Sequence, residues 1–194
     1  MSSFSIIINK NRRLPEDYIP ENLLEAPIPF SAPPDDPKRL MQKDASYAAK
    51  ALFKRANDSG MNLYGISGYR SYKRQEELYL AALKKANLTT ASAPDDLAKL
   101  LVAPPGASEH QSGLALDVSC PEIDMELTEA FADTKEGEWL KAYAPLYGFI
   151  LRYPKGKESI TGYAYEPWHI RYVSKSLALY LSLTGLTLEE YDLI

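Results

Sequence analysis

The hydrophobic positions along the chain follow two different spacings, which together predict a mixed fold of helices and strands. Apolar residues recur at helical spacing from about 38 to 58, after the acidic pair that precedes Pro37 and before Gly60. A second helical pattern runs from about 72 to 86 and begins after Ser71, a residue suited to capping a helix N-terminus. Both segments are therefore predicted to be helices.

Shorter segments have the composition or the two-residue alternation of β-strands. They are Asn62–Ser67, Gly113–Ser119, Phe149–Tyr153, Gly162–Tyr165 and Trp168–Val173. Further helices are predicted at about 122–132, at about 136–144, and as two short helices at the end, the last capped by Thr187. Because these elements follow one another without a repeating strand–helix–strand rhythm, we predict an α+β fold with an antiparallel sheet.

Prolines dominate the start of the chain and predict an extended arm. Seven of them lie between Leu14 and Pro37, a density that excludes a regular helix and opposes sheet pairing. The arm also carries apolar residues that gain by burial, so we expect it to pack on the body: Tyr18, Leu23, Leu24 and Phe30. At 194 residues, the chain is predicted to form one domain, 1–194, with 1–37 as the arm.

Composition and charge narrow the classes of partner. The chain has 22 basic and 26 acidic residues and a net charge of −4, so nucleic acid is not an expected partner. It contains no run of 18 apolar residues, so we expect no transmembrane segment. We also expect the protein to be a monomer. As it stands it shows no leader, which predicts a cytoplasmic protein, or a cell-envelope or secreted one where a leader has been removed. The single cysteine, Cys120, is interpreted as a half-buried thiol.

The chain has only two histidines, and each lies close to carboxylates in the sequence. His110 and Asp117 are seven residues apart, so in a regular strand they would point to opposite faces. They can converge only if His110 precedes the strand and the chain bends at Gly113. Gly113 and Ala115 are small, and we expect them to leave room for an ion above Asp117.

The second histidine, His169, follows Glu166 and Pro167. Proline is unfavourable within a central strand, which places Glu166 in a loop and His169 in the strand after it. Two imidazoles and one carboxylate match the three protein ligands of a catalytic zinc, which keeps a fourth position open. Calcium and magnesium prefer oxygen ligands, so zinc is the expected metal, and Glu166 is free to act as a base.

These segments resemble the motifs of the zinc D-alanyl-D-alanine carboxypeptidase family, of the VanY and VanX type. The resemblance rests on Ser-x-His-x-x-Gly-x-Ala-x-Asp at 108–117, on Glu-Pro-Trp-His-x-Arg-Tyr at 166–172, and on Ser-Gly-Tyr-Arg-Ser at 67–71. It implies one zinc ion per chain, held by His110, Asp117 and His169. The fold it implies is the one shared with hedgehog-like domains, a central antiparallel sheet flanked by helices.

The resemblance also implies roles for other residues. Glu166 would be the catalytic base, and Arg70 would stabilise the oxyanion formed from the substrate carbonyl. Arg171, two residues after His169, is expected to orient Asp117 or the loop. Substrate binding would fall to four further side chains, namely Ser108, Gln75, Ser67 and Tyr165.

The resemblance leaves several substrates open, all of them peptidoglycan stem peptides or their precursors. We favour a D,D-carboxypeptidase that removes the terminal D-alanine of the pentapeptide. The alternatives are an L,D-carboxypeptidase acting on the tetrapeptide and an enzyme that also cleaves the D-Ala-D-Ala dipeptide. A wall-binding module with a retained zinc is the non-enzymatic alternative, but such a site has no need of Glu166.

Overall fold

The computed structural model describes residues 3–87 and 102–194. The sequence also predicts a loop at 91–106, of which 91–101 lies outside these residues. The strands of the structure are β1 (Leu23–Glu25), β2 (Leu40–Gln42), β3 (Tyr64–Ser67), β4 (Ala115–Ser119), β5 (Phe149–Tyr153) and β6 (Glu166–Tyr172). Its helices are α1 (Lys43–Asp58), α2 (Tyr72–Lys85), α3 (Lys135–Tyr143), α4 (Glu158–Thr161), α5 (Lys175–Thr184) and α6 (Leu188–Asp192). Within the described ranges, no helix combines the length and the apolar character needed to cross a membrane.

A four-stranded antiparallel sheet forms the centre of the molecule, in the order β3-β4-β6-β5. Asp117 of β4 pairs with Ser67 of β3 on one side and with His169 of β6 on the other. Since directly paired residues point to the same face, this register brings three polar side chains side by side. The predicted α+β class with an antiparallel sheet is confirmed.

The opposite face of the sheet is apolar and is covered by helices. Leu116 and Ile170 pair across β4 and β6, and both are buried. They belong to one cluster with residues of α1 and α3, including Leu52, Phe53, Trp139 and Leu140. Because side chains alternate along a strand, burying Leu116 and Ile170 against the helices turns Asp117 and His169 to the other side. The hydrophobic core therefore decides where the polar residues point.

The proline-rich arm packs on the body, with Ala26 and Ile28 buried. The expectation that its prolines oppose sheet pairing was wrong for β1, which pairs with β2. Pro20 and Pro27 lie outside the paired residues 23–25, so the N–H groups of this short stretch remain available for the ladder.

The first helix begins later than the hydrophobic pattern predicted. The Asp36 side chain caps a 3₁₀ turn at Pro37–Arg39, and the chain then forms β2 before α1 starts at Lys43. The Gln42 side chain caps α1 by accepting hydrogen bonds from the backbone of the first turn. Asp36 of the acidic pair therefore caps a short turn, and the pairing of residues 40–42 with β1 delays the start of the helix.

Three other sequence predictions were wrong. The predicted helix at 122–132 is replaced by 3₁₀ turns at Pro121–Ile123 and Glu129–Asp133, because Asp124 and Met125 adopt positive φ and break the helix. The predicted strand at 162–165 is irregular and follows the short helix α4. Cys120 is completely buried rather than half-buried.

Gly113 allows two parts of the chain to approach closely. It ends the 3₁₀ turn Glu109–Ser112 with φ +69°, and a Cβ there would lie 2.9 Å from both the Gln42 nitrogen and Leu23 Cδ2. Its carbonyl accepts a 2.8 Å hydrogen bond from the Gln42 N–H. The space around Gly113 is therefore occupied by β1 and β2, and the expectation that it leaves room for an ion was wrong.

We expect G113A to lower the free energy of unfolding by about 2–4 kcal/mol. The alanine would have to adopt a left-handed backbone conformation, and its Cβ would also crowd Gln42 and Leu23. G156A is the matched control: Gly156 has φ +83° but nothing within 4 Å of a built Cβ, so about 1 kcal/mol is expected. Urea denaturation of both variants measures the difference. Equal losses would contradict the close packing at Gly113.

Candidate metal centre and active site

Three buried side chains converge at one end of the polar face of the sheet. His110 lies in the turn Glu109–Ser112, Asp117 in β4 and His169 in β6. Asp117 Oδ2 is 3.1 Å from His110 Nε2, and Asp117 Oδ1 is 2.8 Å from His169 Nδ1. One ligand atom from each residue lies within 4.8 Å of the others, so the group can hold a metal ion.

Local structure explains how these residues meet. His110 precedes β4, and the chain bends at Gly113, as the spacing predicted. Glu166 and Pro167, by contrast, lie within β6 rather than in a loop. The pairing of β6 with β4 runs from Arg171 to His169, and its pairing with β5 is irregular near Tyr153. Pro167 is tolerated because it lies where the ladder is incomplete.

The outer nitrogens of both imidazoles face oxygen acceptors. His110 Nδ1 lies 2.6 Å from the Gly68 carbonyl oxygen, which can only accept, so Nδ1 carries the proton. His169 Nε2 lies 3.5 Å from Glu109 Oε2. The atoms left for a metal are therefore His110 Nε2 and His169 Nδ1, both of which face Asp117.

The electrostatics of the group favour a cation between the imidazoles. Burial alone would raise the pKa of Asp117, but His110 and His169 hold it well below its usual range. Burial alone would lower the pKa of His169, yet its hydrogen bond with Asp117 and the nearby Glu109 carboxylate raise it to about 10. In the absence of metal, a proton shared by Asp117 and His169 supplies part of this positive charge. A divalent metal that displaces the proton would supply more of it at the same position. The donor set, two imidazoles and a carboxylate, fits zinc.

Arg70 is held beside this group by two of the predicted substrate-binding residues. Its Nη1 donates to Gln75 Oε1 at 3.0 Å, and its Nη2 donates to Ser67 Oγ at 3.1 Å. Arg70 Nη2 also lies 3.9 Å from Asp117 Oδ2. Gln75 is itself fixed, because its Nε2 donates to the Ala103 carbonyl at 2.7 Å. Ser67 and Gln75 thus position a guanidinium at the edge of the site.

A cavity of about 360 Å³ opens over the three converging residues and is also lined by Arg70, Ser108 and Glu166. Glu166 Oε2 lies 3.9 Å from His169 Nδ1. Burial raises the pKa of Glu166 to about 7, although His169 acts in the opposite direction. A carboxylate with a pKa near neutrality is suited to accept and return a proton.

Tyr165 is the one predicted site residue that lines a different pocket. That pocket includes Glu129, Lys155 and Pro167, and the Lys155 ammonium lies 5.9 Å from the centre of the Tyr165 ring. Glu166 and Trp168 line the site cavity, whereas Tyr165 and Pro167 line the other pocket, so adjacency to Glu166 did not bring Tyr165 to the same cavity.

Sequence reasoning missed two residues that contact His169. The Tyr153 ring stacks on the His169 ring, with centroids 5.0 Å apart, and Glu109 faces its other nitrogen. Arg171 was expected to orient Asp117 or the loop, and it bonds Glu109 in the turn instead of Asp117. Glu109 lies next to His110 in the sequence, but nothing in the sequence indicated that its side chain is buried.

Comparison with known proteins identifies the family. Residues 38–175 match the family model VanY, described as D-alanyl-D-alanine carboxypeptidase. The chain belongs to this family. It is 35% identical to VanXYC of Enterococcus gallinarum, a bifunctional D-Ala-D-Ala dipeptidase and carboxypeptidase, over 95% of this chain and 91% of that protein. It is also 43% identical to YodJ of Bacillus subtilis over 95% of this chain, but it spans only 65% of the length of YodJ.

Solved structures of similar proteins agree with the fold. The LdcB LD-carboxypeptidase shares 43% identity and a TM-score of 0.88, over 96% of this chain and 84% of that chain. A mutant of the D,D-pentapeptidase VanY from a VanB-type cassette, in complex with Zn(II), shares 33% identity and a TM-score of 0.76, over 97% and 98%. The zinc in that relative agrees with the donor set found here.

We expect the wild-type chain to bind one zinc ion and to gain thermal stability from it, since a ligand that binds only the folded state stabilises that state. D117N removes the central anionic ligand and should abolish both effects. D133N changes an exposed acid outside the group and should change neither. Elemental analysis and Tm with and without zinc test this, and zinc-dependent stabilisation of D117N would contradict it.

Proposed function

We propose that this chain is a zinc-dependent D,D-carboxypeptidase that removes the terminal D-alanine from the peptidoglycan stem pentapeptide. One observation supports this above the others: His110, Asp117, His169, Glu166 and Arg70 line a single cavity. Membership of the VanY family supplies the substrate class. A site that only stabilised the fold would need neither a base nor a guanidinium beside the metal.

In this proposal, His110 Nε2, Asp117 and His169 Nδ1 would hold the zinc ion. When bound, zinc supplies a Lewis acid for the scissile carbonyl and makes water a stronger acid. Glu166 accepts a proton from the attacking water and returns it to the leaving amine of D-alanine. Glu166 lines the same cavity as the three ligands, with its Oε2 3.9 Å from His169 Nδ1, so it lies close enough for both transfers.

Arg70 provides the positive charge opposite the reacting carbonyl. Ser67 and Gln75 each bind one of its terminal nitrogens, so the guanidinium is already oriented before substrate arrives. Pre-oriented donors stabilise a developing oxyanion because they need not reorganise during the reaction. Ser108 lines the cavity next to His110, and its side chain does not cap the turn that follows it. We therefore propose that Ser108 contacts the substrate.

Similarity to LdcB supports a second candidate. That LD-carboxypeptidase shares the higher identity and TM-score of the two structures compared, which favours an L,D-carboxypeptidase acting on the tetrapeptide. Similarity to VanXYC favours cleavage of the free dipeptide as well. In this proposal, all three reactions use the same zinc, base and guanidinium. The shape of the cavity, rather than the catalytic residues, then determines which of the three peptides is cleaved.

We expect the wild type to release one D-alanine from the pentapeptide, and E166A to lose about 10²–10⁴-fold in kcat while keeping its zinc. Mass spectrometry of pentapeptide, tetrapeptide and D-Ala-D-Ala incubated with each protein measures both product and rate. E129A, which alters an exposed acid outside the cavity, is the control and should match the wild type.

Each outcome of this experiment has a distinct meaning. Cleavage of the tetrapeptide instead of the pentapeptide would support the L,D alternative. If the zinc-loaded wild type cleaved none of the three peptides, the proposed function would be wrong, and the wall-binding alternative would take its place.

A second expectation concerns Arg70. R70K keeps the positive charge but loses the planar fork that Ser67 and Gln75 hold, so kcat should fall by about 10²–10³-fold. R74K is the matched control, since Arg74 lies on the exposed surface of α2 and pairs only with Glu77 among the described residues. Steady-state kinetics on the cleaved peptide measure both variants. A normal kcat in R70K would remove Arg70 from the mechanism.

A further inference from the structure

A buried carboxylate lies directly behind the proposed metal centre. Glu109 immediately precedes His110, and its side chain is completely buried. Its Oε1 accepts two hydrogen bonds, one from Arg152 Nε and one from Arg171 Nη1, both at 2.7 Å. Three charged groups without access to water are costly to bury, and such clusters often add little to stability. Stability alone therefore does not account for this cluster.

The second oxygen of Glu109 points at a ligand of the metal. Glu109 Oε2 lies 3.5 Å from His169 Nε2. Both atoms are buried, and within the described part of the chain neither has a hydrogen-bond partner. Buried polar atoms are nearly always paired, so two unpaired atoms that face each other indicate a hydrogen bond that a shift of a few tenths of an ångström would complete.

The arginines determine the direction of that bond. Glu109 Oε1 accepts from both arginines, which pair with it as an ionised carboxylate, so Glu109 Oε2 faces His169 as an acceptor. His169 Nε2 is then the nitrogen that donates to Glu109, and once a metal displaces the proton from Nδ1, which faces Asp117, the imidazole is protonated at Nε2 alone. This is the tautomer that a metal ligand of this orientation requires.

We propose that Glu109 is a positioning residue for the metal centre: held by Arg152 and Arg171, it fixes the tautomer and the ring orientation of His169. The inference rests on the zinc site of the proposed function, but it concerns zinc binding and needs no substrate.

The surrounding contacts provide a matched control. Arg152 Nη1 donates to Glu189 Oε2 of α6 at 2.8 Å, so Glu189 neutralises the same guanidinium as Glu109. Its side chain is 14% exposed, and it is not among the described contacts of His169. Removing either carboxylate leaves Arg152 with one fewer anionic partner. Only the loss of Glu109 changes the surroundings of a metal ligand.

The first test compares E109Q with E189Q in the full chain, using zinc alone as the probe. Competition with a chromophoric chelator should show zinc binding weakened about 10–100-fold in E109Q, as is typical when an outer partner of a histidine ligand is lost. E189Q should bind zinc as the wild type does, although both variants lose stability through the unbalanced arginine. Equal weakening in the two variants would mean that the effect is structural and would overturn the proposal.

A second measurement reads the tautomer directly. Because the chain has only two histidines, the ¹⁵N imidazole NMR spectrum of the zinc-loaded protein contains few signals to assign. The wild type and E189Q should show His169 protonated at Nε2, whereas E109Q should show an altered Nε2 signal and unchanged His110 signals. An unchanged His169 pattern in E109Q would contradict the proposal.

E109Q could fail to fold, since it leaves two buried arginines without their shared anion. The pair E109D and E189D then replaces it, because Asp keeps the charge and withdraws the carboxylate by one methylene. E109D should bind zinc more weakly than E189D, and equal affinities would overturn the proposal.

A wild type that binds no zinc would overturn the proposed function together with this inference, whereas wild-type affinity in the Glu109 variants would overturn the inference alone.

Discussion

The site depends on one buried negative charge, the Asp117 carboxylate, placed between two imidazoles. Its two oxygens lie 2.8 Å from His169 and 3.1 Å from His110. An isolated carboxylate in this position would be protonated, because burial strongly disfavours its charge. The imidazoles on either side keep it ionised, and the ionised carboxylate makes the same point attractive to a metal. The β4–β6 register, with Asp117 opposite His169, is therefore as important to function as the identity of the residues.

Charges of alternating sign continue outward from this carboxylate. His169 faces Glu109, and Glu109 forms ion pairs with Arg152 and Arg171. Arg152 also forms an ion pair with Glu189 of α6. Arg171 also donates to the backbone carbonyls of Phe4 and Ile6 at 3.0 and 2.9 Å. Both ends of the described chain thus contact the network around the metal ligands. Such a network limits the movement of the site, since displacing any member exposes a buried charge.

Much of the fold was predictable wherever local chemistry was decisive. Ser71 begins α2 and Thr187 begins α6 with the capping interactions that their positions indicated. The failures came where distant contacts prevailed over local preference. Residues 40–42 pair with β1 instead of joining α1, and Pro167 sits inside β6 because the ladder is incomplete there. Neither pairing partner can be identified from the segment alone.

By itself, the sequence determined the α+β class, the family motifs, and a candidate donor set of two histidines and one aspartate, because these depend on residue type and spacing. Tertiary structure alone decided that Ser67 and Gln75 orient Arg70, that Tyr165 faces another pocket, and that Glu109 lies behind His169. Those facts depend on burial and on side-chain contacts, which for Glu109 and Arg171 join residues 62 positions apart. A side chain's neighbours across a folded sheet leave no periodic trace in the sequence, so only the folded chain reveals them.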